Sequence, residues 1–102
     1  MAKKYVNITS APTTTTLLSN ADKQQTGKIK SINISNNRGN THATISLYLD
    51  SNSTSDDYYF FKNVFLPPGT SLFLNEGLSF DINNYALKFT NADSNDISII
   101  IK

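Results

Sequence analysis

The sequence predicts an all-β chain: a single antiparallel β-sandwich, of jelly-roll or immunoglobulin-like type, with seven to eight short strands. Three observations predict it. Ser, Thr and Asn make up about a third of the 102 residues, far above the share in an average domain. These side chains compete for the backbone in helix interiors, whereas Thr suits strands and Asn suits turns. Apolar residues recur with period two in segment after segment. Gly, Pro, Asn and Asp punctuate those segments every 8–12 residues or so, the rhythm of a sandwich or barrel.

Taken in order, Lys4 to Thr9 places Val6 and Ile8 on one face of a short strand, and Pro12 stops it because proline has no donor for a ladder. Thr13, Thr14, Thr15 and Thr16 run into Leu17 and Leu18 as a strand or extended arm, followed by a polar loop to Gly27. With few apolar positions of their own, residues 1–26 read as an N-terminal arm or edge strand, and residues 27–102 as the packed body. Ile32 and Ile34 share a face that Ile29 does not, which suggests a bulge near Lys30-Ser31 or a strand touched on both faces. Asn36 to Asn40 is a turn. The next strand alternates most cleanly, with Ala43, Ile45, Leu47 and Leu49 facing the core and His42, Thr44, Ser46, Tyr48 and Asp50 facing out. Tyr58 to Lys62 is an aromatic strand continued by Val64 to Leu66. Pro67-Pro68-Gly69-Thr70 has the chemistry of a type II turn with positive φ at Gly69. Ser71 to Leu74, Leu78 to Ile82, Tyr85 to Thr90 and Ile97 to Ile101 complete the set, adding Leu87, Phe89, Ile97, Ile99 and Ile101 to the expected core.

Charge and composition exclude several functions. Nine basic and eight acidic residues leave a net charge of +1, without the basic excess of a nucleic-acid-binding domain. No apolar run approaches a membrane span, so neither nucleic acid nor membrane is an expected partner. The basic N-terminus has no apolar stretch behind it, unlike a signal peptide. With no cysteine, disulfides and thiolate chemistry are ruled out, in keeping with folding in a cytosol. His42 is the only histidine, and without a Gly-x-Ser-x-Gly elbow or further ligands it makes neither a triad nor a zinc site. Glu76 and Asp81 are close enough to suggest a carboxylate pair, yet they flank a turn, where acids are common. The expectation is therefore a non-enzyme without cofactors. Calcium in the Asp50–Asp57 or Asp93–Asp96 loop remains a minor option, since both are rich in oxygen donors but lack EF-hand spacing.

Tyr58, Tyr59, Phe60 and Phe61 form the densest apolar feature. A strand sends two of four such residues outward. Either a second layer covers them or they form a contact with another chain, where aromatics are enriched. Stacking on sugar rings is a third option. Together with Thr13 to Leu18, these four residues are the expected interface. Deleting residues 1–20 should then leave a folded body that no longer assembles.

The segments Gly27-Lys28-Ile29, Ile45-Ser46-Leu47-Tyr48-Leu49-Asp50, Leu66-Pro67-Pro68-Gly69-Thr70-Ser71-Leu72, Leu78-Ser79-Phe80, Tyr85-Ala86-Leu87-Lys88 and the Ile-x-Ile-x-Ile-Lys ending resemble small virion proteins of tailed bacteriophages, particularly marine phages. The resemblance covers about three-quarters of the chain and carries no catalytic or ligand motif. It implies a structural part of a virion made in the host cytoplasm. Capsid decoration or cement, bound to the major capsid protein and to its own copies as an oligomer such as a trimer, is the foremost role. A tail, neck or fibre accessory is the alternative, and a small carbohydrate-binding module is the reading from another class.

Overall fold

The computed structural model describes residues 4–19, 28–54, 56–75 and 77–102. Ten strand segments follow one another: β1 (Lys4–Ile8), β2 (Thr13–Leu18), β3 (Lys28–Ile29), β4 (Ile32–Asn36), β5 (Ala43–Ser51), β6 (Asp57–Leu66), β7 (Ser71–Leu74), β8 (Leu78–Ser79), β9 (Tyr85–Asn91) and β10 (Ile97–Ile101). Two four-stranded antiparallel sheets, ordered β1-β10-β4-β7 and β2-β9-β5-β6, carry eight of them, and β3 pairs with β8 in a small third sheet. The count exceeds the expected seven to eight because the segment carrying Ile29, Ile32 and Ile34 divides into β3 and β4, and because residues 13–18, read as a strand or an arm, form a strand.

The pairing follows a single rule. Partner positions count down as the chain counts up, from Lys4↔Ile101 through Thr14↔Thr90, Lys28↔Ser79 and Ile34↔Leu72 to Asp50↔Asp57. The described chain is thus one long antiparallel hairpin with its tip at the β5–β6 loop, rolled up until β10 meets β4 and β9 meets β5. That winding is the jelly roll, one of the two sandwich types expected. The links β1–β2, β4–β5, β6–β7 and β9–β10 each join strands at the same place in the two sheet orders. β6 and β7 are therefore open edges on one side of the roll, and β1 and β2 on the other.

The core fills the space between the sheets as the alternation requires. Ala43, Ile45, Leu47, Leu87, Phe89, Ile97, Ile99 and Ile101 are buried, together with Ile8, Ile32, Ile34, Leu66 and Ile82. Leu49 is only half-buried, lying opposite Tyr58 near the hairpin tip. The parity break at Ile29 is a change of sheet rather than a bulge: β3 leaves the small sheet at Lys30-Ser31, and β4 enters the larger one. Gly69 has φ 69° as its turn requires, and Thr70 Oγ1 donates to Pro67 O at 2.6 Å across that turn.

Residues 4–18 are not an extended arm. β1 hydrogen-bonds along β10 and β2 along β9, so the N-terminal segment supplies one edge strand to each sheet. Leu17 and Leu18 are both fully buried in the core of their own chain. A register shift between Thr16 and Leu18 inserts one extra residue in β2, which lets two consecutive leucines turn inward. Of the two forms expected for this segment, arm or edge strand, residues 4–18 take the second.

Polar side chains tie the loops together at the end of the roll where those four links run. Asn36 Nδ2 donates to Thr41 O at 2.8 Å and to Leu66 O at 3.2 Å. Its Oδ1 accepts from Ser94 Oγ at 2.8 Å, and Asn91 Nδ2 donates to Ser94 O. Asn36, Asn91 and Ser94 are all buried, and burying polar groups is tolerable only because each is partnered.

Candidate functional site

β6 is the longest strand and forms the open edge of its sheet. Its ladder to β5 slips twice. Ile45 faces Val64 and Leu47 faces Phe61, so β6 spends an extra residue around Lys62-Asn63; Tyr48 then faces Tyr59, leaving Phe60 as a second extra residue. The first slip is held in place by Asn63, at φ 55°, whose N–H donates to Ser46 Oγ at 2.9 Å. Asn is among the few residues that enter this left-handed region easily. Phe61, between the slips, and Val64 and Leu66, beyond the first, turn inward against the core. Asp57, Tyr59 and Phe65, opposite Asp50, Tyr48 and Thr44, stand on the outer face.

The result is an aromatic edge. Tyr58 is 54% exposed, Phe65 59%, and Tyr59 and Phe60 about two-fifths each. Phe73 of β7, 57% exposed, lies opposite Asn33 and so projects from the outer face of the other sheet. The exposed rings are ordered: Tyr59 stacks on Tyr48 with centroids 4.9 Å apart, Phe65 stacks on His42 at 4.2 Å, and Tyr58 meets Tyr85 edge-on at 5.9 Å. Lys62 Nζ lies 4.9 Å from the centroid of the Tyr59 ring, a cation–π contact. Stacking fixes the rings before any partner arrives, which lowers the entropic cost of a contact.

The expected interface residues fare differently. Tyr58, Tyr59 and Phe60 are exposed on this edge, while Phe61 is half-buried beneath it. Thr14 and Thr16 are exposed on the far edge, and Thr13 and Thr15 turn toward the interior. Leu17 and Leu18 are core residues and belong to no surface.

Charges frame the aromatic edge. Lys88 Nζ contacts Asp50 Oδ2 at 2.8 Å. This bond to Lys88 chiefly holds the Asp50 carboxyl below the usual carboxylate range and, reciprocally, raises the Lys88 ammonium. Asp57, directly across the ladder from Asp50, is shifted the other way. Desolvation, then the hydrogen bond and like charge of Asp50, raise its carboxyl. One cation thus serves two facing carboxylates, and Asp50 takes it. Burial raises the Tyr48 phenol between them.

Other candidate chemistry resolves into structure. His42 Nε2 lies 2.9 Å from Asp93 Oδ2, and Thr44 Oγ1 donates to the same oxygen at 2.7 Å. A nucleophilic triad needs the hydroxyl on the histidine and the carboxylate behind it; here the carboxylate sits in the middle, and the three pin the β9–β10 turn to β5. His42 is therefore a clamp rather than idle. The oxygens of Asn95 and Asp96 accept from Arg38 Nη1 and Asn37 Nδ2. Among the described residues no three His, Cys, Asp or Glu side chains gather in one place. Asp81 accepts from Asn83 N at 3.1 Å and Asn84 Nδ2 at 2.6 Å, shaping the turn into β9. Glu76 lies outside the described residues.

A comparison with known protein families finds no match, and a comparison with curated proteins finds none either. Among solved structures, the chain is similar to one in the structure of infectious bursal disease virus Gx strain, at 10% identity and a TM-score of 0.41. The likeness covers 97% of this chain and 29% of that one. Fold and surface together define a small jelly-roll domain with an ordered aromatic edge on one side.

Proposed function

We propose that the chain is a non-enzymatic structural component of a virion, a capsid decoration protein that works by contact with the major capsid protein and with its own copies. The observation that carries this reading is the aromatic edge of β6. Monomers avoid large exposed apolar patches, and aromatic residues concentrate where chains meet. His42, Asp93, Asp81, Asp50 and Lys88 are spent on loops and strand pairing rather than converging on a cavity. The resemblance to small virion proteins of tailed bacteriophages supplies the particle, and jelly rolls recur in viral capsid and lectin domains, a fold-level analogy. The test is to add the chain to particles that lack it. Wild type should bind and co-sediment, whereas Tyr59→Ser with Phe60→Ser should fold but bind at least tenfold more weakly. Absence of the chain from purified virions sinks the proposal, and association with tails rather than capsids moves it to the tail, neck or fibre role.

A carbohydrate-binding reading has one observation in its favour. An open groove of about 450 Å³ on the outer face is lined by Thr13, Thr14, Thr44, Asn63, Thr90 and Asn91 among others, hydroxyls and amides suited to sugar hydroxyls. Against it, Tyr59 and Phe65 already have one ring face covered by Tyr48 and His42. Titrating oligosaccharides against tyrosine emission decides: saturable binding lost in Thr90→Val favours this reading, and no response across a glycan panel removes it.

A further inference from the structure

We infer that the β6 edge is a twofold contact between two copies of this chain, in which Asp57 of each copy meets Lys62 of the other. The inference rests on the reading of that edge as a protein contact and commits it to one partner.

A twofold axis reverses the direction of a strand, so the surface it uses must complement itself when read backwards. β6 does. Its sequence Asp57-Tyr58-Tyr59-Phe60-Phe61-Lys62 has an acid at one end, a base at the other and only aromatics between. Laid antiparallel on a second copy about the middle of the aromatic run, each Asp57 approaches the partner copy's Lys62, and Tyr59 and Phe60 lie against the partner's aromatic residues. Among the described residues neither Asp57 nor Lys62 forms an ion pair. The cation beside the carboxylate pair is held by Asp50, at 2.8 Å from Lys88, and Asp57 faces a like charge across the ladder. Among the described residues Lys62 meets no carboxylate and rests only on the Tyr59 ring. Desolvation, then the hydrogen bond and like charge of Asp50, raise the Asp57 carboxyl, a shift that a partner copy's lysine would oppose.

The two slips in the ladder set the mode of contact. Bulges and an edge lysine oppose continuation of the sheet by backbone pairing, so the copies meet through side chains of the outer face. Asp57 and Tyr59 stand on that face, with Lys62 Nζ over the Tyr59 ring. A threefold ring would need two different complementary patches on each copy; this stripe is one patch complementary to itself.

The experiment is sedimentation of wild type, Asp57→Lys, Lys62→Asp and the double swap over a concentration series. Wild type should dimerise reversibly. Each single reversal places like charges at both ends of the contact and should weaken dimerisation at least tenfold. The two single variants mixed together should form a heterodimer, and the double swap should regain the homodimer. Circular dichroism on each variant keeps folding separate from association. A wild type that remains monomeric up to about 1 mM, a trimer, or a dimer indifferent to the single reversals overturns the inference. The first of these, with particle binding still lost in Tyr59→Ser/Phe60→Ser, leaves the virion reading intact. A charge-dependent dimer absent from virions does the reverse.

Discussion

β2 and β6 are both outer strands of the same sheet, both carry a run of neighbouring apolar residues, and both contain bulges, yet they treat that run in opposite ways. In β2 the extra residue lets Leu17 and Leu18 both turn inward and disappear from solvent. In β6 the extra residues leave Tyr58, Tyr59 and Phe60 on the surface while only Phe61 reaches the core. Side-chain chemistry accounts for much of the difference. Leucine gains nothing from water, whereas a tyrosine can bury part of its ring against a neighbour and keep its hydroxyl wet. The Tyr48–Tyr59 stack does this. A bulge thus redirects a side chain without dictating where it goes, and polarity helps to decide whether the apolar run of an edge strand ends in the core or on the surface.

The largest effect that could break this contrast comes from deletion. Removing residues 1–20 takes away β1 and β2, one strand from each sheet, and opens the core at Leu17 and Leu18. The truncated chain should lose its strand signature by circular dichroism and its cooperative unfolding. A truncated chain that folds and melts cooperatively would return residues 1–20 to the status of an arm. Point substitutions sharpen the same comparison. Leu18→Ala and Leu47→Ala, both fully buried, should each cost about 2–5 kcal/mol in denaturant unfolding. Phe60→Ser, at a bulge on the exposed edge, should stay within about 0.5 kcal/mol of wild type. If Phe60→Ser costs as much as Leu18→Ala, the aromatic edge is core after all.

Smaller effects test what holds the ends of these strands. Asn36→Ala should cost about 1–3 kcal/mol, because it strips the carbonyls of Thr41 and Leu66 and the hydroxyl of Ser94 of their partner. Gly69→Val should cost about 1–2 kcal/mol: no atom lies within 4 Å of the added Cβ, so the penalty is the left-handed backbone alone.

The smallest effect is in pH. The folded Asp57 carboxyl is raised, so the folded state gains stability from it as pH falls from neutral toward the carboxylate range. Asp50 is lowered, so its contribution is present above the unfolded carboxylate range and is lost as pH falls through its lower folded value. Lys88 is raised, and its share disappears only as pH climbs past the lysine range. Asp57→Asn should therefore slightly raise stability at pH 7 and flatten the profile between neutrality and mild acid. Unfolding curves across that window would refute the assignment if the variant keeps the wild-type slope.

Sequence alone determined that the chain is a β-sandwich, most of its core, and the conformation of Gly69. Alternation in 43–49 and 97–101 reports directly which side chains share a face, and a Pro-Gly pair leaves few turn types open. It also identified the aromatic run, because composition does not depend on pairing. Three things depended on the tertiary structure: the rolled ribbon, the incorporation of residues 4–18 into both sheets, and the local clamps around Asn36, His42 and Asp57. A register shift leaves no mark in the sequence of the shifted strand, since it is a relation between two strands far apart along the chain. Asn36 and Ser94 look like any residues of a polar loop until the roll brings their loops together. The neighbour that decides whether Leu17 is core, or which carbonyls Asn36 bonds, lies far away along the chain.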